Sequence, residues 1–123
     1  MILDELMVKK YKIVFWQNQN GYSEAQEYIT DLKNKSIKSK DARIKLNKIF
    51  EYMELLETYG TEIGESYVKH LECNIYELRP LRDRFFFFYK QDNRYVILNH
   101  FIKRTQKTPR REIEKAYKTY TRF

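Results

Sequence analysis

The chain is poor in the residues that build covalent or metal scaffolds: one cysteine, two histidines, two prolines and three glycines in 123 residues. A single thiol, Cys73, excludes an internal disulfide and suits a reducing compartment. It has no His or Cys at ligand spacing, which makes it a packing residue rather than a nucleophile. Two histidines, His70 and His100, cannot build a histidine-rich zinc centre, and no carboxylate cluster for a metal stands out. Long apolar runs are also missing, since nothing approaches the roughly 20 residues of a membrane helix. Met1 to Val8 is mildly apolar but carries Asp4 and Glu5 and no basic start, so it is no secretion signal. The expected location is the cytoplasm, with no membrane partner. Internal repeats and long linkers are absent.

What is present argues for a folded domain. The chain is 42% hydrophobic and 16% aromatic, with eight Phe and eleven Tyr, despite 33% charged residues. Its length gives one domain, residues 1–123, with a single core. Residues 1–10 fit no motif and stand as a candidate N-terminal extension. The net charge is +7 and unevenly spread. From residue 101 onward there are eight Lys or Arg against two Glu, which is six of the seven net charges. Such an end suits an acidic partner, nucleic acid ahead of a membrane surface.

The hydrophobic periods give an order of elements. Tyr11 to Trp16 reads as a strand. Ser23 with Gln26 forms a capping-box pattern, and Ala25, Ile29 and Leu32 follow at helical spacing to about Lys35. Ser39 or Asp41 caps a second helix whose stripe is Ala42, Leu46, Ile49, Phe50, Met53 and Leu56, stopped by Gly60. After that the period changes. Tyr67 to Leu71 is extended or a short edge strand, Ile75 to Arg79 a strand, and Arg84 to Lys90 the most apolar run. Tyr95 to Lys103 is apolar on both faces and is placed centrally. Thr108 then Pro109 reads as an N-cap and first turn of a last helix to Tyr120, with Ile113, Ala116, Tyr117 and Tyr120 inward. The fold class is α+β: a twisted antiparallel sheet of three to five strands, an N-terminal helical hairpin and a C-terminal helix, with the helices on one face.

Strand residues alternate faces, so Glu77 and Arg79 share one side. Arg84 opens the next strand across the Leu81-Arg82-Asp83 turn, and Lys103 and Arg104 end the following one. Their heads can gather at one end of the sheet as an anion site unbalanced by carboxylates. Arg79 could instead pair with Glu77 or Asp83, and Arg82 and Asp83 read as turn residues. A phosphodiester is the obvious target. RNA cleavage needs a base for the 2′-hydroxyl, cations for the developing charge and an acid for the leaving oxygen. A lysine with lowered pKa or a histidine could be the base. Simple RNA binding would use the same cations, with aromatic residues stacking on bases. His70, beside Lys69, is the better of the two histidines for proton transfer, and His100 reads as core. Phe85 to Phe88 are core, and Tyr89 points to the open face as a base-stacking candidate.

Three blocks carry a resemblance: Tyr67 to Leu71 (YVKHL), Ile75 to Arg84 (IYELRPLRDR) and His100 to Pro109 (HFIKRTQKTP). Together, after a helical hairpin, they make the chain resemble a HigB-type toxin of the RelE/ParE superfamily, the phage-derived branch of type II toxin–antitoxin systems. The resemblance covers most of the chain and implies a RelE-like α+β fold. It implies a ribosome-dependent, metal-independent and cofactor-free mRNA endonuclease. By resemblance Arg79 and Arg84 hold the scissile phosphate, and Lys69 and His70 move protons. Lys103, Arg104 and Lys107 match the family's basic strand end, Lys103 assisting and the other two binding RNA; beside that match, Arg110, Arg111 and Tyr89 are further candidate RNA-binding residues. Residues 103–107 read KRTQK where KKTQK is the usual form, which keeps the charge. The implied partners are the ribosome, its message and a HigA-like helix-turn-helix antitoxin, with operator DNA reached only through the antitoxin. Other members of the superfamily resemble gyrase poisons of the ParE type, which need a docking surface and no RNA chemistry. A plain RNA-binding module is the third reading.

Overall fold

The computed structural model describes residues 8–122. Residues 1–7 of the candidate extension lie outside them. Lys9 and Lys10 do not project away: the Lys9 ammonium lies 3.1 Å from Glu57, and the Lys10 amide donates to the Glu57 carbonyl at 2.9 Å.

The elements are β1 (Lys12–Phe15), α1 (Glu24–Ser36), α2 (Lys40–Tyr59), a 3-10 turn (Gly60–Ile63), β2 (Val68–Glu72), β3 (Ile75–Leu78), β4 (Asp83–Lys90), β5 (Arg94–Ile102) and α3 (Arg110–Tyr120). Both helices of the hairpin start at serines. Ser23 Oγ accepts from the Gln26 amide at 3.2 Å, and Ser39 Oγ from the Ala42 amide at 3.1 Å. Gly60 ends α2 by adopting φ +72°, which glycine takes without strain, and a Cβ there would sit 2.9 Å from Tyr95 Oη.

The sheet runs β1-β5-β4-β3-β2. Pairs β2–β3, β3–β4 and β4–β5 are antiparallel, as their short turns require, but β1 runs parallel to β5. The expected antiparallel sheet is therefore mixed. No tight turn joins β1 to a neighbour, so nothing imposes an antiparallel direction on it. The edge position of β2 and the inner position of β5 follow the sequence expectation.

Helices cover both faces, not one. Leu78, Phe85, Phe87, Tyr95 and Ile97 pack against the hairpin residues Ala25, Ile29, Leu32, Leu46, Ile49 and Leu56. Ile75, Phe86, Phe88, Val96 and Leu98 form a second layer with Ala116 of α3 and the half-buried Ile113 and Tyr120. A strand apolar on both sides must be covered on both sides, because each buried Phe contributes about 1.5–3 kcal/mol only when water is excluded. Two stripe residues turn outward: Phe50 is exposed under Lys33, whose ammonium is 5.5 Å from the ring centroid, and Tyr117 is exposed on α3.

One irregularity matters below. Phe86 faces Asn99 while Phe87 faces Ile97, so Leu98 is an extra residue in β5. This bulge resets the alternation of the strand.

Candidate functional site

The face under α3 carries the charge. Glu77 pairs with Phe86 across β3–β4, and Arg84 pairs with Phe101 across β4–β5, so all four side chains share that face. Lys69 stands opposite Glu77 on β2 and joins them. Beyond the bulge, Phe101 and then Lys103 fall on this face too. Residues from four successive segments thus meet at one end of the sheet.

Glu77 lies at the centre and is 1% exposed. Its Oε1 is 3.6 Å from Arg79 Nε and 3.6 Å from Arg84 Nε. Its Oε2 accepts from the Thr108 hydroxyl at 3.0 Å. The arginine cluster is therefore not unbalanced by carboxylates, as its sequence suggested: one buried carboxylate serves both guanidiniums. Burial of cations requires such a partner.

Backbone carbonyls fix the rest of each arginine. Arg79 Nη1 donates to Glu65 O at 2.9 Å. Arg84 Nη1 donates to Leu81 O at 2.7 Å and to Asp83 O at 2.9 Å. Leu81 adopts φ +56°, uncommon for a residue with a Cβ, and this turn aims its carbonyl at Arg84. Among the described residues neither Nη2 has a protein partner.

A groove of about 580 Å³ opens beside Arg84, lined by Arg82, Arg84, Lys103, Arg104, Thr105 and Gln106. Lys69, Arg82, Lys103, Arg104 and Lys107 have no acidic partner among the described residues. Burial lowers the Arg84 pKa, with Glu77 acting against it and Arg79 adding to it. Burial also lowers the Lys103 pKa, and the positive charges of Arg84, Arg79 and Lys69 add to the shift while Glu77 opposes it. A cradle of fixed guanidiniums beside a lysine of reduced basicity can hold a phosphate and accept a proton.

Several sequence-derived candidates lie elsewhere. His70 alternates with Lys69 and faces the hairpin side, where its ring packs 4.9 Å from Tyr76 and Nε2 bonds the Cys73 carbonyl at 2.7 Å. Tyr89 is five residues along β4 from Arg84, about 17 Å away at ~3.3 Å per residue. It faces the other layer, against Tyr11 and Tyr95. Arg110 is tied to Glu72 at 3.1 Å and to Glu114 at 3.5 Å, and Arg111 projects into solvent beside Glu112. Both border a larger groove of about 890 Å³ with Cys73 and Tyr117, away from the arginine pair. Cys73 is exposed in the β2–β3 turn at φ +52°, not packed in the core. Thr108 does not cap α3; Pro109 holds that place without a side-chain bond, because the Thr108 hydroxyl is turned to Glu77.

His100 is core, as its strand context suggests, but it is not alone there. Nε2 lies 2.9 Å from Asp83 Oδ1, and the ring stacks on Tyr28 with centroids 3.8 Å apart. Burial, then the hydrogen bond to Asp83, raise the Tyr28 pKa well above its usual value. Asp83 is thus the first residue of β4 and a buried anchor rather than a turn residue. Sequence reading offered Glu77 and Asp83 only as alternative partners of Arg79 and missed the burial of both. For Glu77 a signal was present, since it lies between Tyr76 and Leu78 in an apolar strand; Asp83, between Arg82 and Arg84, gave none.

A small α+β protein with one strongly basic face defines the class. Residues 35–121 match the family described as "Phage derived protein Gp49-like (DUF891)", and the chain belongs to that family, which is of toxin type. Such a family implies an antitoxin partner. No curated protein matches the chain. No helix among the described residues is long and apolar enough to cross a membrane.

Proposed function

We propose that the chain is the HigB-like toxin of a type II toxin–antitoxin pair and cleaves messenger RNA on the ribosome, in the cytoplasm, without a cofactor. One observation carries the reading: Arg82, Lys103 and Arg104, without acidic partners among the described residues, line a groove with Arg84, which shares a single buried carboxylate with Arg79. A phosphodiester backbone is the ligand that such a surface fits best, and an unpaired strand can enter an open groove. Its antitoxin partner is a helix-turn-helix protein of HigA type, through which the pair reaches operator DNA.

In the proposed reaction neutral Lys103 Nζ takes the proton of the 2′-hydroxyl. The 2′-oxygen attacks the adjacent phosphorus and forms the new P–O bond. Arg84 and Arg79 hold the negative charge of the pentavalent centre through Nη2 donors. The P–O5′ bond breaks, and the Lys69 ammonium gives its proton to the leaving oxygen. The products are a 2′,3′-cyclic phosphate and a 5′-hydroxyl. This scheme gives His70 no part, since its ring packs on Tyr76 on the hairpin side.

Induced expression of the full chain in bacteria tests this. Growth arrest with new message ends is expected, and Arg79→Ala and Arg84→Ala abolish both while still folding, with Arg84→Ala melting lower because buried Glu77 loses a partner. Two folded but fully toxic variants would overturn the site. Arrest with intact messages and DNA damage would point to a gyrase poison, and arrest with intact messages and blocked ribosomes to simple RNA binding.

A further inference from the structure

Glu77 joins the two strand arginines to the end of the basic loop, through Arg79, Arg84 and Thr108. Its two Nε neighbours are buried and donate to no other partner, and at 3.6 Å neither makes a full hydrogen bond to it. The carboxylate is shared between the guanidiniums rather than spent on one of them. Each arginine therefore keeps its outer edge for a ligand. The second observation is independent. Thr108 precedes Pro109 at the start of α3, where a hydroxyl would ordinarily cap the helix. It forgoes that cap and donates to Glu77 instead. Thr108 also ends the basic loop that carries Lys103, Arg104 and Lys107. The bond ties that loop to the strand arginines.

We propose that Glu77 is the positioning residue of this face: it sets the two arginine heads side by side and, through Thr108, docks the basic loop against them, so that a phosphate meets an assembled site. The proposal rests on the phosphate-cleaving reading above for its consequence, but not for its geometry. Two like charges would otherwise separate. Glu77 holds them together without bonding their Nη2 edges.

The test uses full-length protein with Glu77→Gln, Thr108→Val and Thr108→Ser. Two readouts are taken: the Nε–Hε resonances of Arg79 and Arg84 by NMR, and steady-state cleavage of a message held on programmed ribosomes. Glu77→Gln is expected to shift or broaden both resonances. It should lower kcat on the order of tenfold or more, with KM unchanged or lower, because the face gains net positive charge. A residue that only stabilised the fold would lower the melting temperature and the active fraction while leaving the two resonances of the folded protein in place. Thr108→Val, which leaves the carboxylate in place, should lower kcat about threefold, and Thr108→Ser should restore it. Unchanged resonances and an unchanged kcat in Glu77→Gln overturn the inference. Should wild-type protein cut no RNA, the cleavage reading falls, and the resonances alone decide the positioning role. Should Glu77→Gln fail to fold, the Thr108 pair decides it.

Discussion

Lys69 stands directly across from Glu77 in the β2–β3 pair, yet the two side chains form no ion pair. The carboxylate turns to the arginines and the hydroxyl of Thr108, and the Lys69 ammonium is left to face Lys103. Its charge is one of those that lower the Lys103 pKa, after burial and the Arg84 charge.

That arrangement fixes a pH dependence. A general base must be neutral, so cleavage should rise with pH and level off below the ordinary lysine value of about 10.4. Lys69→Gln removes one positive neighbour, raises the Lys103 pKa and moves the rising limb to higher pH, whatever it does to the plateau. Lys103→Arg stays charged throughout and should lose on the order of 10²–10⁴ in rate. Single-turnover cleavage across the pH range reads both; a limb that stays put in Lys69→Gln removes Lys103 from the role of base.

Salt separates the cations that meet RNA from those already spent. For single strands the slope of log K against log salt is about −0.7 per phosphate neutralised. Arg104→Gln and Lys107→Gln should each flatten it by about 0.7. Arg110→Gln should leave it nearly unchanged, since that guanidinium is bound to Glu72 and Glu114. Binding of a 2′-O-methyl oligonucleotide at several salt concentrations measures this, and a large effect of Arg110→Gln would place the RNA path over α3 instead.

Stability should rest on the buried group behind the site. Asp83→Ala leaves His100 and Tyr28 without their shared acceptor and should cost roughly 3–5 kcal/mol. Tyr28→Phe removes one hydrogen bond and should cost about 1 kcal/mol. Urea unfolding gives both values; equal, small losses would mean that Asp83 is solvated rather than an anchor.

Much of the frame was legible along the chain. Ser23, Ser39 and Gly60 bound the hairpin helices as their capping chemistry demands, because helix ends are decided by neighbouring residues. The turn before Arg84 and the order of the strands were also local. The position of α3 was not, although β5 held the clue: Val96 and Leu98 face away from the hairpin and need their own cover. Thr108 and Phe50 misled for the same reason, as each found a partner distant in sequence.

The sequence by itself determined the elements, the concentration of positive charge after residue 101 and the pairing of Glu77 with Arg79 on one side of a strand. These depend on spacing within a few residues. Tertiary structure alone decided that Lys103 joins them. Strict alternation from Ile97 would turn Lys103 toward the hairpin, and the extra residue at Leu98 turns it back toward Arg84. A bulge is set by how two strands pair, and the registry of partners far apart in the chain is settled only when both layers pack.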